Sequence, residues 1–234
     1  MYNIIIRYQL SLLAILFLST PVIGQSVSAY GVPVWKDAKK YREVARADSN
    51  HLMVNLAKAI PGLPFDLRYA TENNFTGKKL YPGKPATSYL RLPAARALAK
   101  IQSSLMEKGY SLKVFDAYRP YSATVVMWEL VRDERYAANP AKGSGHNRGL
   151  AIDLTIINNR NGKELDMGTG FDNFTDTAHH SFTNLPQEVI QNRKLLREVM
   201  ETNGFKALET EWWHYYWPND RNYPIMDIGF GKLH

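Results

Sequence analysis

The chain contains no cysteine. Disulfides, a thiolate-bound metal and a lipid anchor on an N-terminal cysteine are therefore excluded, so stability must come from packing or from a metal held by other ligands. Acidic charge is the scarcer sign: 22 Asp and Glu stand against 29 Lys and Arg, a formal net charge of +7. The excess is scattered, with no Lys/Arg block and no recognition motif. It reads as a solvated basic surface, favourable near an anionic envelope, and no nucleic-acid partner is expected. Repeats and low-complexity segments are missing too, as is any apolar run of the ~20 residues that span a bilayer.

What apolar run there is lies at the start. Arg7 is the only charge before residues 10–18, where Ser11 is the sole polar residue. A positive residue, a short apolar stretch, Pro21 and small residues after it make a secretory signal over 1–24, with cleavage after Gly24 or as late as Ala29. The expected product is an exported chain, periplasmic or secreted, with no stable membrane anchor once the signal is removed. Residues 25–234 then form one domain, since domains commonly run ~100–200 residues.

Hydrophobic patterning within that domain predicts a surface helix over 35–47 and a strand over 65–70, followed by a turn-rich stretch. Pro93 opens a helix that runs to 108 and stops at Gly109. A short buried strand at 112–115 delivers Asp116-Ala-Tyr-Arg-Pro120 to a strand end. Ser122 is expected to cap a helix reaching Tyr136, and a Gly-rich loop leads to a strand over 150–157 and a hairpin turn at 158–162. A loop over 168–184, a helix over 186–203 and a strand over 209–217 complete the pattern. Helices and hairpin strands mix without a regular βαβ rhythm, which predicts an α+β single domain with a mostly antiparallel sheet flanked by helices.

Two segments carry chemistry: Ser144-Gly-His146-Asn-Arg-Gly-Leu-Ala-Ile-Asp153 and Glu211-Trp-Trp-His214. His146, Asp153 and His214 supply two imidazoles and a carboxylate, a donor set that suits Zn²⁺ and also admits other first-row ions. Three protein ligands leave a fourth position open for chemistry, and Glu211 is then the natural general base. His146 alone would pass for a loop histidine and Asp153 for a strand-edge charge; their combination with Glu-x-x-His favours the metal. A flat strand sends residues three apart to opposite faces, so Glu211 and His214 share a site only if the strand bends at Trp212-Trp213. His179 and His180 are adjacent, diverge in direction, and are expected in a loop, at most orienting a ligand. His51 and His234 are expected at the surface.

Ser-x-His-x₆-Asp followed by Glu-Trp-Trp-His resembles the zinc D-alanyl-D-alanine dipeptidases, the VanX-type members of the M15 D,D-peptidases. Asp66-Leu-Arg-Tyr-Ala-Thr, Asn74-Phe-Thr-Gly77, Asp116-Ala-Tyr-Arg-Pro120 and Phe171-Asp172 are similar to family segments in family order. The resemblance implies a hedgehog/D,D-peptidase-like fold, one Zn²⁺ per chain on His146, Asp153 and His214, and Glu211 as base. It further implies that Arg119 stabilises the tetrahedral intermediate, that Asp172 holds the dipeptide's free amino group, and that Ser144 and Tyr69 line the pocket. The activity implied is hydrolysis of D-Ala-D-Ala to D-alanine. A D,D-carboxypeptidase or endopeptidase acting on peptidoglycan stems is the nearest alternative, and a non-catalytic zinc-stabilised binding module the next. The chain departs from the vancomycin-resistance members in a shorter segment between Arg119 and His146, and in Gly145, where relatives often carry a side chain.

Overall fold

The computed structural model describes residues 25–233; the expected signal at 1–24 and His234 lie outside the described residues. A small antiparallel hairpin comes first, β1 (Gln25–Val27) with β2 (Pro33–Trp35). Helix α1 (Ala38–Ala47) follows within the expected span, capped by Asp37, which accepts the Lys39 N–H at 2.7 Å. Next are β3 (Met53–Asn55), the single-turn α2 (Leu56–Ala59) and β4 (Tyr89–Arg91), with β4 antiparallel to β3.

Helix α3 (Leu92–Met106) has Pro93 in its first turn, where the missing N–H costs nothing. Gly109, at φ 80°, then turns the chain directly into β5 (Tyr110–Asp116). Ala94, Leu98, Ile101 and Leu105 form the buried stripe of α3. Gln102 is buried with them, and its Oε1 accepts the Leu112 N–H at 2.8 Å, tying the helix to the strand.

The remaining elements are α4 (Tyr121–Val131), α5 (Gly145–Arg148), β6 (Ala151–Asn158), β7 (Lys163–Glu164), α6 (Gln187–Thr202), β8 (Lys206–Leu208) and β9 (Glu211–Tyr216). The main sheet runs β5-β6-β9-β8, with β7 added on β6 and every strand pair antiparallel. Helix α3 packs on β5, α6 packs on β8 and β9, and the two helices touch each other. Strand β6 is buried from Ala151 through Ile156, as a central strand covered on both faces must be. The expected α+β domain is therefore present. Among the described residues no helix is long and apolar enough to cross a membrane.

Four local expectations change. The strand expected over 65–70 is one bridge, Phe65 to Val114, followed by a 3₁₀ turn over Arg68–Ala70. The β5 backbone bulges just past Val114, so no partner continues. Helix α4 stops at Val131 because Arg132 adopts φ 48° and the Asp133 side chain accepts the Arg135 N–H at 3.0 Å. Its cap is Pro120; Ser122 instead gives its N–H and O–H to Asp227. The strand expected over 209–217 is present as β9 but starts at Glu211, because Glu209 and Thr210 form the turn from β8, a strand the patterning did not show.

Candidate metal centre and active site

Strand register builds half of the site. Asp116 on β5 lies opposite Asp153 on β6, and Asp153 lies opposite His214 on β9, so the three side chains stand in one row across three strands. Two irregularities make the row. A bulge between Val114 and Asp116 brings Asp116 into line. On the other side, Leu208 pairs with Glu211 while Ala207 pairs with Tyr215, so Trp212, Trp213 and His214 are extra residues against β8. This is the bend that Glu-x-x-His requires, and it lets Glu211 approach His214 with Oε2 3.8 Å from Nδ1.

His146 arrives on a helix rather than in the flexible loop expected for it. Ser144 and Asn147 form a reciprocal cap that nucleates the single turn α5, and Gly149 ends it at φ 70°. That left-handed φ is what favours glycine here, and the flexible end of the Met53 side chain packs against it. His146 Nδ1–H donates to the Ala117 carbonyl at 2.6 Å, which fixes the tautomer and leaves Nε2 with its lone pair free.

The donor groups of the three residues converge. His214 Nδ1 lies 2.9 Å from Asp153 Oδ1, His146 Nε2 lies 3.2 Å from His214 Nδ1, and His146 Nε2 lies 3.4 Å from Asp153 Oδ2. A tetrahedral ion with ligand bonds of ~2.0–2.1 Å has ligand-to-ligand edges of about 3.3 Å, so the triangle matches a small divalent cation. Among the described residues it is the one group of such side chains with this convergence. Burial alone would push the Asp153 carboxyl up, but His146 and His214 hold it well below the usual range. His214 is raised in turn: burial lowers it, and the hydrogen bond to Asp153 together with the negative charges of Asp153 and Glu211 more than offsets this.

Around the triangle the charges alternate. Arg119 Nε donates to Asp116 Oδ2 at 2.8 Å, its Nη2 lies 3.5 Å from Asp153 Oδ2, and its guanidinium sits 4.9 Å from the Tyr69 ring centre. Asp116 is fully buried and also accepts from Tyr81 Oη at 2.5 Å and from Ala117 N at 2.8 Å. Burial raises its pKa against the pull of Arg119 and His146. Tyr69 Oη donates to Asp172, whose oxygens lie 2.9 and 3.1 Å away. Asp172 holds the left-handed φ of 60°, and burial pushes its carboxyl up to about 8. Glu211 is pushed up to about 7, again by burial first, with His214 pulling it down and Asp153 raising it further. A cation on the adjacent ligands would draw Glu211 downward again.

All eight side chains singled out in the sequence line one cavity of about 190 Å³: the three ligands, Glu211, Arg119, Asp172, Ser144 and Tyr69. Its outer wall includes Phe75, Glu134 and Tyr136. The residues that sequence reasoning passed over are Asp116 and Tyr81. Asp116 was visible as the carboxylate three before Arg119 at a strand end, whereas nothing near Tyr81 in sequence announced it. His179 and His180 do not reach the site. His180 packs edge-on against Tyr215 at 6.2 Å, and Tyr215 points to the opposite side of β9 from His214. His51 is half-buried against the Tyr223 ring, not on the surface as expected.

Three converging donors, two of them buried, that leave a coordination position free, with a carboxylate and a guanidinium at its edge, define a metallopeptidase centre. A family model described as D-ala-D-ala dipeptidase (Peptidase_M15) matches residues 49–228. The D-alanyl-D-alanine dipeptidase of Escherichia coli K12 is 38% identical over 174 residues, covering 74% of this chain and 89% of that protein. The D-alanyl-D-alanine dipeptidase of Enterococcus faecalis V583 is 34% identical, covering 68% of this chain and 88% of its own length. Among solved structures, the LdcB LD-carboxypeptidase is a remote likeness, with TM-score 0.40, 23% identity, and 68% and 66% of the two chains covered. The chain belongs to the M15 peptidase family of D-Ala-D-Ala dipeptidases.

Proposed function

We propose that this protein is an exported, zinc-dependent dipeptidase that hydrolyses D-Ala-D-Ala to two D-alanines. The observation that carries the reading is one small cavity walled by a His–Asp–His donor triangle and, beside it, Glu211, Arg119 and Asp172. Zn²⁺ on His146, Asp153 and His214 would acidify a water to a pKa of about 7 and polarise the peptide carbonyl.

The chain's own groups supply the rest. Glu211 accepts the proton of the attacking water and returns it to the leaving amine, a transfer suited to a carboxyl tuned by burial. Arg119, held by Asp116, presents its remaining N–H groups to the carbonyl oxygen as that oxygen gains negative charge. Asp172, oriented by Tyr69, pairs with the substrate ammonium and limits cleavage to short peptides with a free amino end. Ser144 holds α5 in place through its cap to Asn147 while lining the same pocket. The substrate partner is a small D,D-dipeptide. The signal at 1–24 would direct the chain to the periplasm or the medium.

The test is D-alanine release by the mature protein from D-Ala-D-Ala, its N-acetyl form and a stem pentapeptide, with and without chelator. Chelator-sensitive cleavage of the free dipeptide alone is expected. Cleavage of the blocked or longer substrates would move the protein to the carboxypeptidase reading. Stoichiometric zinc with no cleavage of any substrate would make it a binding module.

A further inference from the structure

The catalytic cavity is small, about 190 Å³, below the ~300–1,000 Å³ of most ligand pockets. Besides the donor triangle and the charged groups, its wall holds Phe75 and Tyr136, from segments far apart in sequence. A third ring joins them. Phe174 stacks on Tyr136, with ring centres 4.9 Å apart and planes at 28°, and meets Phe75 edge-on at 5.1 Å. Phe75 in turn meets the Tyr69 ring edge-on at 6.2 Å. The four rings form a continuous arc, Tyr69 to Phe75 to Phe174 to Tyr136. Three of them line the cavity, and Phe174 acts through the two that it bridges.

Polar bonds shape the ends of this arc separately. The Asp133 side chain accepts the Arg135 N–H, and its carbonyl accepts those of Tyr136 and Ala137. Glu134 accepts from Asn139 and Lys142. Among the described residues, no hydrogen bond or ion pair of residues 133–136 leads outside 129–142. Asn173 likewise closes on Thr175 of its own loop. Ring against ring is therefore what sets the spacing between the Tyr136 segment and the Phe174 loop. Aromatic side chains have few rotatable bonds, so the arc is a firm boundary.

Its position decides which part of a substrate it meets. Tyr69 Oη is bound to Asp172, and Phe174 follows Asp172 by two residues on the same loop. On the dipeptidase reading, on which this inference rests, Asp172 holds the substrate ammonium. The ammonium and the side chain of the first residue share one carbon, which places that side chain beside the arc. The second residue lies on the far side of the scissile bond.

We propose that the arc sets the size limit for the amino-terminal residue of the dipeptide. Phe75 and Tyr136 are its specificity-determining residues, and Phe174 is the positioning residue that holds them together. A methyl side chain fits, whereas a branched one strikes the rings. The limit is steric, and so separate from the pairing of the ammonium with Asp172.

The test compares kcat/KM for D-Ala-D-Ala, D-Leu-D-Ala and D-Ala-D-Leu in the mature protein and in Tyr136→Ala, Phe174→Ala and Tyr136→Phe. The unaltered protein should favour D-Ala-D-Ala over D-Leu-D-Ala. Each alanine variant should raise the ratio of D-Leu-D-Ala to D-Ala-D-Ala at least about tenfold, the scale on which an apolar pocket discriminates by size. Tyr136→Phe keeps the ring and should keep the ratio, and D-Ala-D-Leu should gain in none of the variants. A ratio of two kcat/KM values on one preparation does not depend on the fraction of active protein, so partial misfolding cannot imitate these results. Equal use of D-Ala-D-Ala and D-Leu-D-Ala by the unaltered protein, a ratio that either alanine variant leaves unchanged, or an equal gain for D-Ala-D-Leu would overturn the size limit and leave the dipeptidase standing. An unaltered protein that cleaves no dipeptide would remove the dipeptidase reading and the size limit with it.

Discussion

The Tyr69 phenol is bound to the Asp172 carboxylate, with its oxygen 2.9 and 3.1 Å from the two carboxylate oxygens. The bond favours the ionised carboxylate, while burial disfavours it and raises the pKa to about 8. Only the ionised form attracts a substrate ammonium. On the limb that Asp172 governs, kcat/KM for D-Ala-D-Ala should therefore rise with pH. Tyr69→Phe removes a stabiliser of the charged form and should move this limb to higher pH. The falling limb, set by the substrate's own amine near a pKa of about 8, should stay where it is. The check is a pH profile for the free and the N-acetylated dipeptide. A limb that Tyr69→Phe does not move would detach Asp172 from amine recognition.

Glu211 and His214 are three residues apart yet should fail differently. Glu211→Gln keeps the shape and leaves the donor triangle intact, so metal should remain at one per chain while turnover falls by ~10²–10⁴-fold, the usual contribution of a positioned acid-base group. His214→Ala breaks the triangle at two of its edges, 2.9 Å to Asp153 and 3.2 Å to His146, and should lose the metal. Elemental analysis beside the activity assay separates the two. Full turnover in Glu211→Gln, or stoichiometric metal in His214→Ala, would refute the respective role.

The donor residues were legible in sequence because metal chemistry permits few residue types, and because both motifs sit beside strong strand patterns. The need for a bend at Trp212-Trp213 was legible too, since period-two alternation forbids Glu-x-x-His on a flat strand. Other features depend on contacts distant in sequence. Tyr81 reaches Asp116 from 35 residues away. Helix α5 exists through a cap and through Gly149 packing on Met53, neither of which gives a hydrophobic period. The false strand at 65–70 has strand-like residues but lacks a partner beyond Val114, and pairing rather than propensity decides a strand.

Asp116 touches the chemistry only through Arg119 and His146, which makes it a positioning residue with a distinct signature. Asp116→Asn replaces an acceptor that serves Arg119, Tyr81 and the Ala117 N–H at once. The expected loss is about 10–100-fold, carried by kcat with little change in KM. Arg119→Ala should cost ~10²–10³-fold, as removal of one oxyanion donor does. In the double variant the losses should not add, because Asp116 acts partly through Arg119. Full additivity in kcat would assign Asp116 a role separate from the guanidinium.

Gly145 tests how closely α5 must lie against β6. A Cβ built there meets the Ala151 Cβ at 2.9 Å, tighter than real side chains tolerate, and Ala151 is buried in the central strand. Neither is the far end of a flexible side chain, so the backbone has to move, and His146 is the next residue along. Gly145→Ala should therefore cost about 1–3 kcal/mol of stability, the range for overpacking a dense core. Metal affinity should fall with it as Nε2 leaves its place in the triangle. Ala151→Gly opens the missing space, so adding it to Gly145→Ala should restore metal binding, although a glycine in a strand keeps some of the stability loss. Denaturant unfolding with a metal titration on the single and double variants measures both effects. If Gly145→Ala binds metal like the unaltered protein, the fit of α5 on β6 does not position His146.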